Sequence, residues 1–418
     1  MSLEWKSCKI GDVVSIRRGA SPRPIKEFIS TKGIPWVKIA DATSDSSRFI
    51  NSTKEFIKEE GKEKSVFVEP GDLIVSNSAT PGLPKFMNIF ACVHDGWLIF
   101  DNYKNVLKEY LYYYFILTRK RLVNQANGSV FKNLKTDIVR EFDIQLPPLE
   151  TQKNIVNILS SMDSKIELNI KINKNLEQLS QNLFKKWFID FHLEDDFNIS
   201  EPLKDSSLGK IPKSWKIKTI GDLSIVKGRI GWRGYTTNDL IDKGPWVVGG
   251  KEITSGFIDF GTAKHLTREK YEESPEIMLK DKDLIIAKTG TIGPIAMFYE
   301  NYGEATLNPN VGLIRSKKIS AALLLTFFKT PRAQYYLNEF TTSSVQPAIN
   351  QTTIKELEIA LPSDKQLLDK MSVIFEEINL MQFNLNEEIK KLQKLRDILL
   401  PKLMSGKIDV SKINCDLK

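Results

Sequence analysis

The chain has 418 residues, of which 41% are hydrophobic and 27% charged; this balance excludes an intrinsically disordered protein, and the length suggests two or three domains. Its 60 Lys and Arg outnumber the 52 Asp and Glu, and the net charge of +8 suits a polyanionic partner without requiring one. The 3 cysteines are far apart and form no Cys-x-x-Cys pair, which excludes a disulfide framework and a zinc knuckle and favours a reducing, cytoplasmic environment.

Membrane insertion and secretion are also disfavoured by the sequence. The longest apolar stretches, 110–117 and 319–328, fall well short of the roughly 20 residues that span a bilayer. Residues 1–12 carry charged side chains throughout and lack the apolar core of a signal peptide. We therefore expect a cytoplasmic protein that does not associate with membranes.

An internal repeat dominates the chain, because blocks of the first half return in the second half in the same order. The matched blocks are Trp5 with Trp215, Ile10-Gly11-Asp12 with Ile220-Gly221-Asp222, Pro35-Trp36-Val37 with Pro245-Trp246-Val247, Asp72-Leu73-Ile74 with Asp283-Leu284-Ile285, and Ile144, Leu146 and Pro147 with Ile359, Leu361 and Pro362. Between these blocks the two halves differ. The pattern predicts one scaffold used twice to carry two different surfaces, although drift of exposed loops after a duplication would also leave them unmatched.

Short runs rich in Val, Ile, Trp and Phe lie between clusters of Gly, Pro, Asn and Ser in the first copy, a pattern typical of strands. The predicted strands are 13–16, 36–39, 73–75, 97–100 and 142–146. One helix is expected at 108–125 with a counterpart at 321–337, and the tyrosines at 112, 113 and 114 are assigned to the core. Each copy is therefore predicted to be a mixed α and β domain.

A long helix is predicted after each domain. Residues 150–191 contain neither Gly nor Pro, and their apolar side chains alternate at spacings of four and three, as in a coiled coil. The predicted seam of this first helix comprises Ile155, Leu159, Met162, Ile166, Leu176 and Leu183. The seam of the second helix comprises Met371, Ile374, Ile378, Met381, Leu385, Leu392, Leu395 and Leu399, and Pro401 and Gly406 follow it as stop signals.

Each helix would be roughly 55 to 60 Å long at about 1.5 Å per residue. Neither helix can bury its apolar seam alone. The simplest arrangement pairs the two helices with each other, and because each follows an equivalent domain, we expect an antiparallel coiled coil with pseudo-twofold symmetry. The predicted organisation is a first domain at 1–147, a central helix at 148–193, a linker at 194–214, a second domain at 215–362, a distal helix at 363–405 and a C-terminal tail at 406–418.

Three motifs resemble those of one known protein family. They are 144–152 (IQLPPLETQ), which enters the central helix, 208–215 (LGKIPKSW), which opens the second domain, and 70–74 (PGDLI). In combination and in duplicate they resemble the specificity (S) subunit of type I restriction-modification systems over nearly the whole chain. The second copy departs from the pattern at 361–366 (LPSDKQ) and 281–283 (DKD), which leaves the implied fold and function unchanged.

The resemblance implies an α+β fold with two tandem target recognition domains, each reading one half of a bipartite double-stranded DNA sequence. It also implies that the helices set the spacing between the halves and dock two methyltransferase subunits, with restriction subunits joining the full complex. The chain itself would then be non-catalytic and hold no cofactor, since S-adenosylmethionine, ATP and magnesium would belong to the partner subunits.

The residues themselves supply no evident catalytic or metal centre. The Asn308-Pro309-Asn310 tripeptide lacks the second proline and the aromatic residue of an adenine methyltransferase motif, and is interpreted as a loop. Residues 288–293 (KTGTIG) lack the Gly-Lys-[Ser/Thr] ending of a phosphate loop. The 3 histidines have no acidic or cysteine neighbours at ligand spacing, so no metal site is expected.

DNA-contact residues are expected among cationic and amide or hydroxyl side chains on loops, because these side chains bind phosphates and base edges. Ordinary turn structure and a solvated charge run are the alternatives at each position. The predicted contacts of the first domain are Arg17, Arg18, Ser21, Arg23, Asn77, Ser78, Lys85, Lys132, Asn133 and Lys135. Those of the second domain are Lys227, Arg229, Arg233, Lys288, Thr289, Thr291, Gln346 and Asn350.

Two other functions fit parts of the pattern. A coiled-coil interaction scaffold that binds no DNA would show the same paired helices, but it would show no sequence preference in a gel shift at any salt concentration. A nuclease with an unrecognised site would cleave DNA by itself in the presence of magnesium. The repeat, the paired helices and the absent catalytic motifs together favour a DNA-specificity subunit.

Overall fold

The computed structural model describes residues 5–44, 47–126, 133–229, 234–254, 256–341 and 347–410. The contacts divide the chain into two compact units: unit 1 comprises 1–169 with 388–418, and unit 2 comprises 170–387. These units differ from the predicted organisation, because both long helices pass from one unit into the other. In the described part of the chain, no helix is long and apolar enough to cross a membrane.

Unit 1 is built on two five-stranded sheets and a small two-stranded one. Its strands are β1 (Lys6–Lys9), β2 (Ser15–Arg18), β3 (Ile29–Ser30), β4 (Ile34–Val37), β5 (Phe49–Ile50), β6 (Glu55–Ile57), β7 (Val66–Val68), β8 (Leu73–Ser76), β9 (Pro84–Met87), β10 (Ala91–Val93), β11 (Trp97–Asp101) and β12 (Asp143–Leu146). Its helices are α1 (Ile10–Val13), α2 (Ile25–Phe28), α3 (Ile39–Ala42), α4 (Lys108–Ala126), α5 (Thr136–Arg140) and the first part of α6 (Leu149–Phe184). The sheet orders are β2-β11-β8-β9-β5 and β3-β6-β4-β10-β7, while β1 pairs with β12.

Unit 2 contains the rest of α6, which continues as a π-helical turn at Lys185–Ile189. Its strands are β13 (Leu203–Ser206), β14 (Gly209–Pro212), β15 (Lys216–Thr219), β16 (Ser224–Lys227), β17 (Leu240–Val248), β18 (Ile253–Thr254), β19 (Phe257–Ile258), β20 (Lys264–Leu266), β21 (Leu284–Ala287), β22 (Ile295–Met297), β23 (Ala305–Leu307), β24 (Val311–Ser316) and β25 (Glu358–Leu361). Its helices are α7 (Glu194–Phe197), α8 (Ile220–Leu223), α9 (Arg268–Glu272), α10 (Ala321–Phe328), α11 (Pro331–Glu339), α12 (Gln351–Glu356) and the first part of α13 (Lys365–Met404).

The two units repeat one topology. The sheet order β2-β11-β8-β9 of unit 1 returns as β16-β24-β21-β22 in unit 2, and the β1–β12 pair returns as β15–β25. A parallel pair places Trp36 of β4 opposite Cys92 of β10, and the same parallel arrangement places Trp246 of β17 opposite Ala305 of β23. The mixed α and β fold with a duplicated scaffold is therefore confirmed.

The repeated Ile-Gly-Asp block has a structural explanation. Asp12 accepts a hydrogen bond from the backbone N–H of Lys9 at 2.9 Å and so closes the first turn of α1. A Cβ on Gly11 would lie 3.1 Å from the Cβ of Arg140, closer than most side chains come, and Gly221 is approached in the same way in unit 2. The block is matched because the helical turn packs tightly against a neighbouring helix in each unit.

Several predicted elements are shifted in the structure. The predicted helix at 321–337 is broken into α10 and α11, because Pro331 cannot continue the hydrogen-bond ladder and instead starts the second helix. The predicted strand at 13–16 begins only at Ser15, since Val13 still belongs to α1. The tyrosines at 112, 113 and 114 are buried at 7%, 1% and 7% exposure, which confirms their assignment to the core.

The long helices run antiparallel where they pack within each unit. In unit 1, Asp163 of α6 binds Arg396 of α13 at 2.8 Å, while the later residue Asn169 donates to the earlier residue Glu388 at 2.8 Å. In unit 2, the Gln382 side chain donates to the carbonyl of Asn173 at 3.3 Å, and the rings of Phe184 and Phe375 lie 6.2 Å apart. The predicted antiparallel pairing is confirmed in both units.

The seam itself differs from the predicted one in α13. Of the predicted seam residues, Ile155, Leu159, Ile166, Met371 and Ile378 are buried, while Met162, Leu176, Leu183, Ile374, Leu385, Leu392 and Leu399 are partly buried. Met381 and Leu395, however, are 52% and 45% exposed. The neighbouring polar residues Gln382 and Arg396 occupy the seam instead, and a prediction based on apolar spacing could not select them.

The segments expected to be a linker and a tail are folded onto the units. The predicted linker contains the β13–β14 hairpin, in which Ile211 is 2% exposed and belongs to the core of unit 2. In the predicted tail, Val410 is 1% exposed and its carbonyl accepts a hydrogen bond from Asn154 at 3.0 Å. Residues 411–418 lie outside the described part of the chain.

We expect Arg396→Ala to destabilise unit 1 by about 2 to 3 kcal/mol, because it leaves the Asp163 carboxylate, whose side chain is 7% exposed, without its cation. Thermal unfolding of the full chain measures the effect. The matched control is Lys394→Ala, an exposed position two residues earlier on α13, which should change the free energy of unfolding by less than about 0.5 kcal/mol. Equal losses in the two variants would show that the ion pair contributes nothing.

Candidate nucleic-acid interface

Three loops of unit 1 meet beside the first residue of β11: the loop after β2, the loop after β8 and the turn between β10 and β11. The chain after β2 is joined to the turn before β11, since the N–H of Gly19 donates to the carbonyl of Trp97 at 2.9 Å. A Cβ on Gly19 would overlap the His94 carbonyl oxygen, so a glycine is required for this approach. The loop after β8 joins them, because the N–H of Asn77 donates to the carbonyl of Gly96 at 2.8 Å. The sequence-predicted residues on these loops are thus brought together.

Asp95 lies at the centre of this loop cluster and is bound by four of the predicted contact residues. Its carbonyl accepts hydrogen bonds from Nε of Arg18 at 2.8 Å and from the side-chain amide of Asn77 at 3.0 Å. Its carboxylate accepts a hydrogen bond from the hydroxyl of Ser21 at 2.7 Å. The second carboxylate oxygen faces Arg18 at 3.9 Å and Arg23 at 3.8 Å.

The electrostatics of the cluster depend on this one carboxylate. The Ser21 hydrogen bond and, after it, a backbone hydrogen bond hold the pKa of Asp95 below its ordinary value despite partial burial, so the group is ionised at neutral pH. Burial lowers the pKa of His94, which lies 3.7 Å from the same carboxylate, so the imidazole is neutral there. Arg18 and Arg23 are therefore the cations that face Asp95, and their side chains remain 57% and 81% exposed.

The other predicted residues of unit 1 occupy different environments. Arg17 is 54% exposed and binds Asp101 at 2.6 Å on β11. Asn133 and Lys135 are exposed on either side of Leu134, whose N–H donates to the carbonyl of Asn77 at 2.7 Å. Ser78 is half-buried in the loop after β8. Lys132 lies outside the described residues.

Lys85 and Asn77 have their polar groups directed into the protein. The Lys85 side chain is 4% exposed, and its ammonium donates to the carbonyl of Ser47. Asn77 is 3% exposed and joins Asp95 to the segment that contains Leu134. In this arrangement both side chains stabilise loop conformation, and neither presents its polar end to an outside ligand.

Unit 2 assembles an equivalent cluster from different residues. The N–H of Lys288 donates to the carbonyl of Asn310 at 3.0 Å, and the carbonyl of Lys288 accepts from the N–H of Ile349 at 2.9 Å. Thr289 forms a β-bridge with Ala348, next to the Asn350 side chain, which caps α12 by accepting from Thr353 at 2.8 Å. Lys227, Thr291 and Asn350 are exposed, while Lys288 and Thr289 are half-buried. Arg233 and Gln346 lie outside the described residues.

Arg229 is a structural residue in this arrangement. It is 5% exposed, its Nε donates to the carbonyl of Leu307 at 2.8 Å, and its terminal nitrogen donates to the hydroxyl of Thr306 at 3.0 Å. The guanidinium also lies over the ring of Tyr235 at 5.4 Å. Burial lowers its pKa, and the side chain would have to leave all of these partners to reach a DNA base.

The residues predicted to contact DNA do not include the turns at the centre of the two clusters. His94-Asp95-Gly96 connects β10 to β11, and Asn308-Pro309-Asn310 connects β23 to β24 at the equivalent place. In unit 2, the amide of Asn308 donates to the hydroxyl of Tyr235 at 2.6 Å and accepts from the N–H of Asn310 at 3.0 Å. The predicted contacts are cationic, amide and hydroxyl side chains, which leaves out the carboxylate of Asp95; its position in an unmatched turn of a repeated scaffold is the sequence signal that points to it.

A metal centre would need several acidic, histidine or cysteine side chains close together. Among the described residues, no group of three or more such side chains could hold a metal ion. The cluster around Asp95 is instead made of hydrogen-bond donors and arginines around one carboxylate.

The comparisons with known proteins agree on one family. The model of the type I restriction modification DNA specificity domain matches residues 2–178 and 212–391. The chain is 27% identical to the type I restriction enzyme MjaIX specificity subunit of Methanocaldococcus jannaschii, covering 98% of this chain and 95% of that protein. It is 22% identical to the HindI specificity subunit of Haemophilus influenzae, covering 97% and 100%.

The solved structures that share this fold include an S subunit. The S subunit of a type I restriction-modification system from M. genitalium is similar with a TM-score of 0.64 at 15% sequence identity, covering 96% of each chain. At this identity, the likeness concerns the fold alone.

We expect Arg229→Lys to destabilise unit 2 by about 1 to 2 kcal/mol, because an ammonium cannot reproduce the planar fork that binds Leu307 and Thr306 together. Urea unfolding followed by tryptophan fluorescence measures the change. Lys227→Ala, an exposed neighbour, provides the comparison and should shift the free energy of unfolding by less than about 0.5 kcal/mol. An unchanged stability in Arg229→Lys would contradict the structural role.

Proposed function

Because this chain belongs to the type I restriction modification DNA specificity family, we propose that it selects the DNA target of a type I restriction-modification complex. Each unit reads one half of a bipartite double-stranded sequence through its loop cluster. The chain supplies sequence specificity, and the enzymatic subunits supply the reaction.

One observation carries this proposal: the two units share a scaffold but differ at the centre of their loop clusters. In unit 1, the turn between β10 and β11 carries His94-Asp95-Gly96. In unit 2, the equivalent turn between β23 and β24 carries Asn308-Pro309-Asn310. Among the described residues the surrounding cations differ as well, with Arg18 and Arg23 exposed in unit 1 and Lys227 exposed in unit 2. Two unlike polar surfaces on one framework suit two unlike DNA half-sites.

The proposed protein partners are two methyltransferase subunits, with restriction subunits joining through them. Large apolar side chains support docking along the long helices, since Leu168 and Leu179 of α6 are 51% and 45% exposed, and Leu380 and Met381 of α13 are 54% and 52% exposed. S-adenosylmethionine, ATP and magnesium are proposed to bind the partner subunits. A coiled-coil scaffold without DNA binding would explain these helix faces but not the arginine-bearing loops.

Methylome sequencing of a host that carries this chain with its methyltransferase partner should reveal one bipartite motif methylated at adenine. The motif should vanish when the gene for this chain is deleted and the methyltransferase is retained. A methylome that is unchanged by the deletion would refute the proposed function.

We expect Arg23→Ala to weaken binding through the first half-site only, by about tenfold, because Arg23 is 81% exposed in the loop cluster of unit 1. Lys227→Ala in unit 2 should weaken binding through the second half-site only. Competition assays against duplexes with one altered half-site distinguish the two effects. Equal losses through both half-sites in either variant would contradict independent reading.

A further inference from the structure

Arg18 and Arg23 of unit 1 face the ionised carboxylate of Asp95 in the same loop cluster. An acidic residue at a DNA-binding surface repels phosphates, so its presence there requires an explanation. Asp95 uses its carbonyl and both carboxylate oxygens to contact Arg18, Ser21, Asn77 and Arg23. Every one of these contacts involves a residue that the sequence predicts as a DNA contact.

The contacts differ in strength. Arg18 is fixed by a 2.8 Å hydrogen bond from Nε to the Asp95 carbonyl, and Ser21 by a 2.7 Å hydrogen bond to the carboxylate. The ion pairs from Asp95 to Arg18 and Arg23 are longer, at 3.9 and 3.8 Å, and both arginines are more than half exposed. Exposed ion pairs of this kind contribute little to stability and exchange readily for another anion.

The second unit lacks a carboxylate at the equivalent turn. Asn308-Pro309-Asn310 occupies the place of His94-Asp95-Gly96, and Asn308 is held by the hydroxyl of Tyr235 at 2.6 Å. The amide does not neutralise nearby cations. Of these two equivalent turns, only the one in unit 1 carries a carboxylate.

We propose that Asp95 is a positioning residue that acts as an exchangeable counter-anion for Arg18 and Arg23 and thereby restricts their use to the correct DNA sequence. On non-cognate DNA, the arginines stay paired with Asp95 and contribute little to phosphate binding. On the cognate half-site, they leave the carboxylate for base edges or phosphates in fixed positions. Asp95 thus lowers non-specific affinity, a form of discrimination by repulsion. The inference rests on the DNA-reading function proposed above.

The test measures binding by the full chain in its methyltransferase complex to a cognate and a non-cognate duplex, over a salt series. Asp95→Asn retains an oxygen that can accept the Ser21 hydrogen bond but removes the charge. We expect its binding to non-cognate DNA to become about fivefold tighter at low salt, with the slope of log K against log salt steeper by about one unit. The ratio of cognate to non-cognate affinity should fall by about tenfold.

Two further variants isolate the cause. Asp143→Asn removes a carboxylate that is 66% exposed and paired with Lys9 on the same unit, so it changes the net charge equally outside the loop cluster. It should leave the salt slope nearly unchanged. Arg23→Gln added to Asp95→Asn should return the slope towards that of the wild type, because it removes a released cation.

The outcomes separate this inference from the proposed function. If Asp95→Asn behaves like Asp143→Asn while the wild-type complex prefers its cognate duplex, the counter-anion role is overturned and the proposed function stands. A loss of preference at a single base pair with an unchanged salt slope would identify Asp95 as a direct base contact and also overturn the inference. If the wild-type complex shows no sequence preference, the proposed function and the inference that rests on it both fail.

Discussion

The structure depends on the burial of two long helices that cannot exist by themselves in water. An isolated helix with one apolar stripe gains too little from its own hydrogen bonds to offset the conformational entropy lost on ordering. In each unit, one helix packs against the other and against the mixed domain of that unit, so that Ile155 and Leu400 share a core in unit 1, and Phe184 and Phe375 share another in unit 2. The same constraint explains the polar seam positions: Asp163 is buried because Tyr113 and Arg396 both bind it.

Sequence patterns predicted the scaffold well because they record burial and backbone geometry. Glycines that permit close approach and aspartates that close helical turns recur for reasons that apply equally in both units, as Gly11 with Gly221 and Asp12 with Asp222 show. The boundary between α10 and α11 is set by Pro331, and the single helix predicted at 321–337 did not take this proline into account. The α13 seam was misplaced near Met381 and Leu395 because polar partners, and not apolar spacing, decide which face is buried there.

The loop residues were harder to predict because a polar side chain in a loop often binds the protein itself. Arg229, Lys85 and Asn77 have the chemistry of DNA contacts, yet each is directed towards a backbone carbonyl within its own unit. Arg18 and Arg23 face Asp95 and remain exposed. Residue type alone cannot separate these cases, since Asn77 and Arg18 donate to the same carbonyl of Asp95 and yet only Arg18 stays exposed. The distinction depends on how deeply the side chain itself is packed, which requires the structure.

The division of α13 between the units also determines the order in which the parts of unit 1 become available during protein synthesis. The core of unit 1 includes Leu400, Leu403, Met404 and Val410, which lie beyond the whole of unit 2 in the chain. The ribosome must therefore synthesise all of unit 2 before the part of α13 that covers the core of the first domain exists. During that interval the first domain presents an incomplete apolar surface, and a chain that terminates early in α13 leaves that surface uncovered permanently.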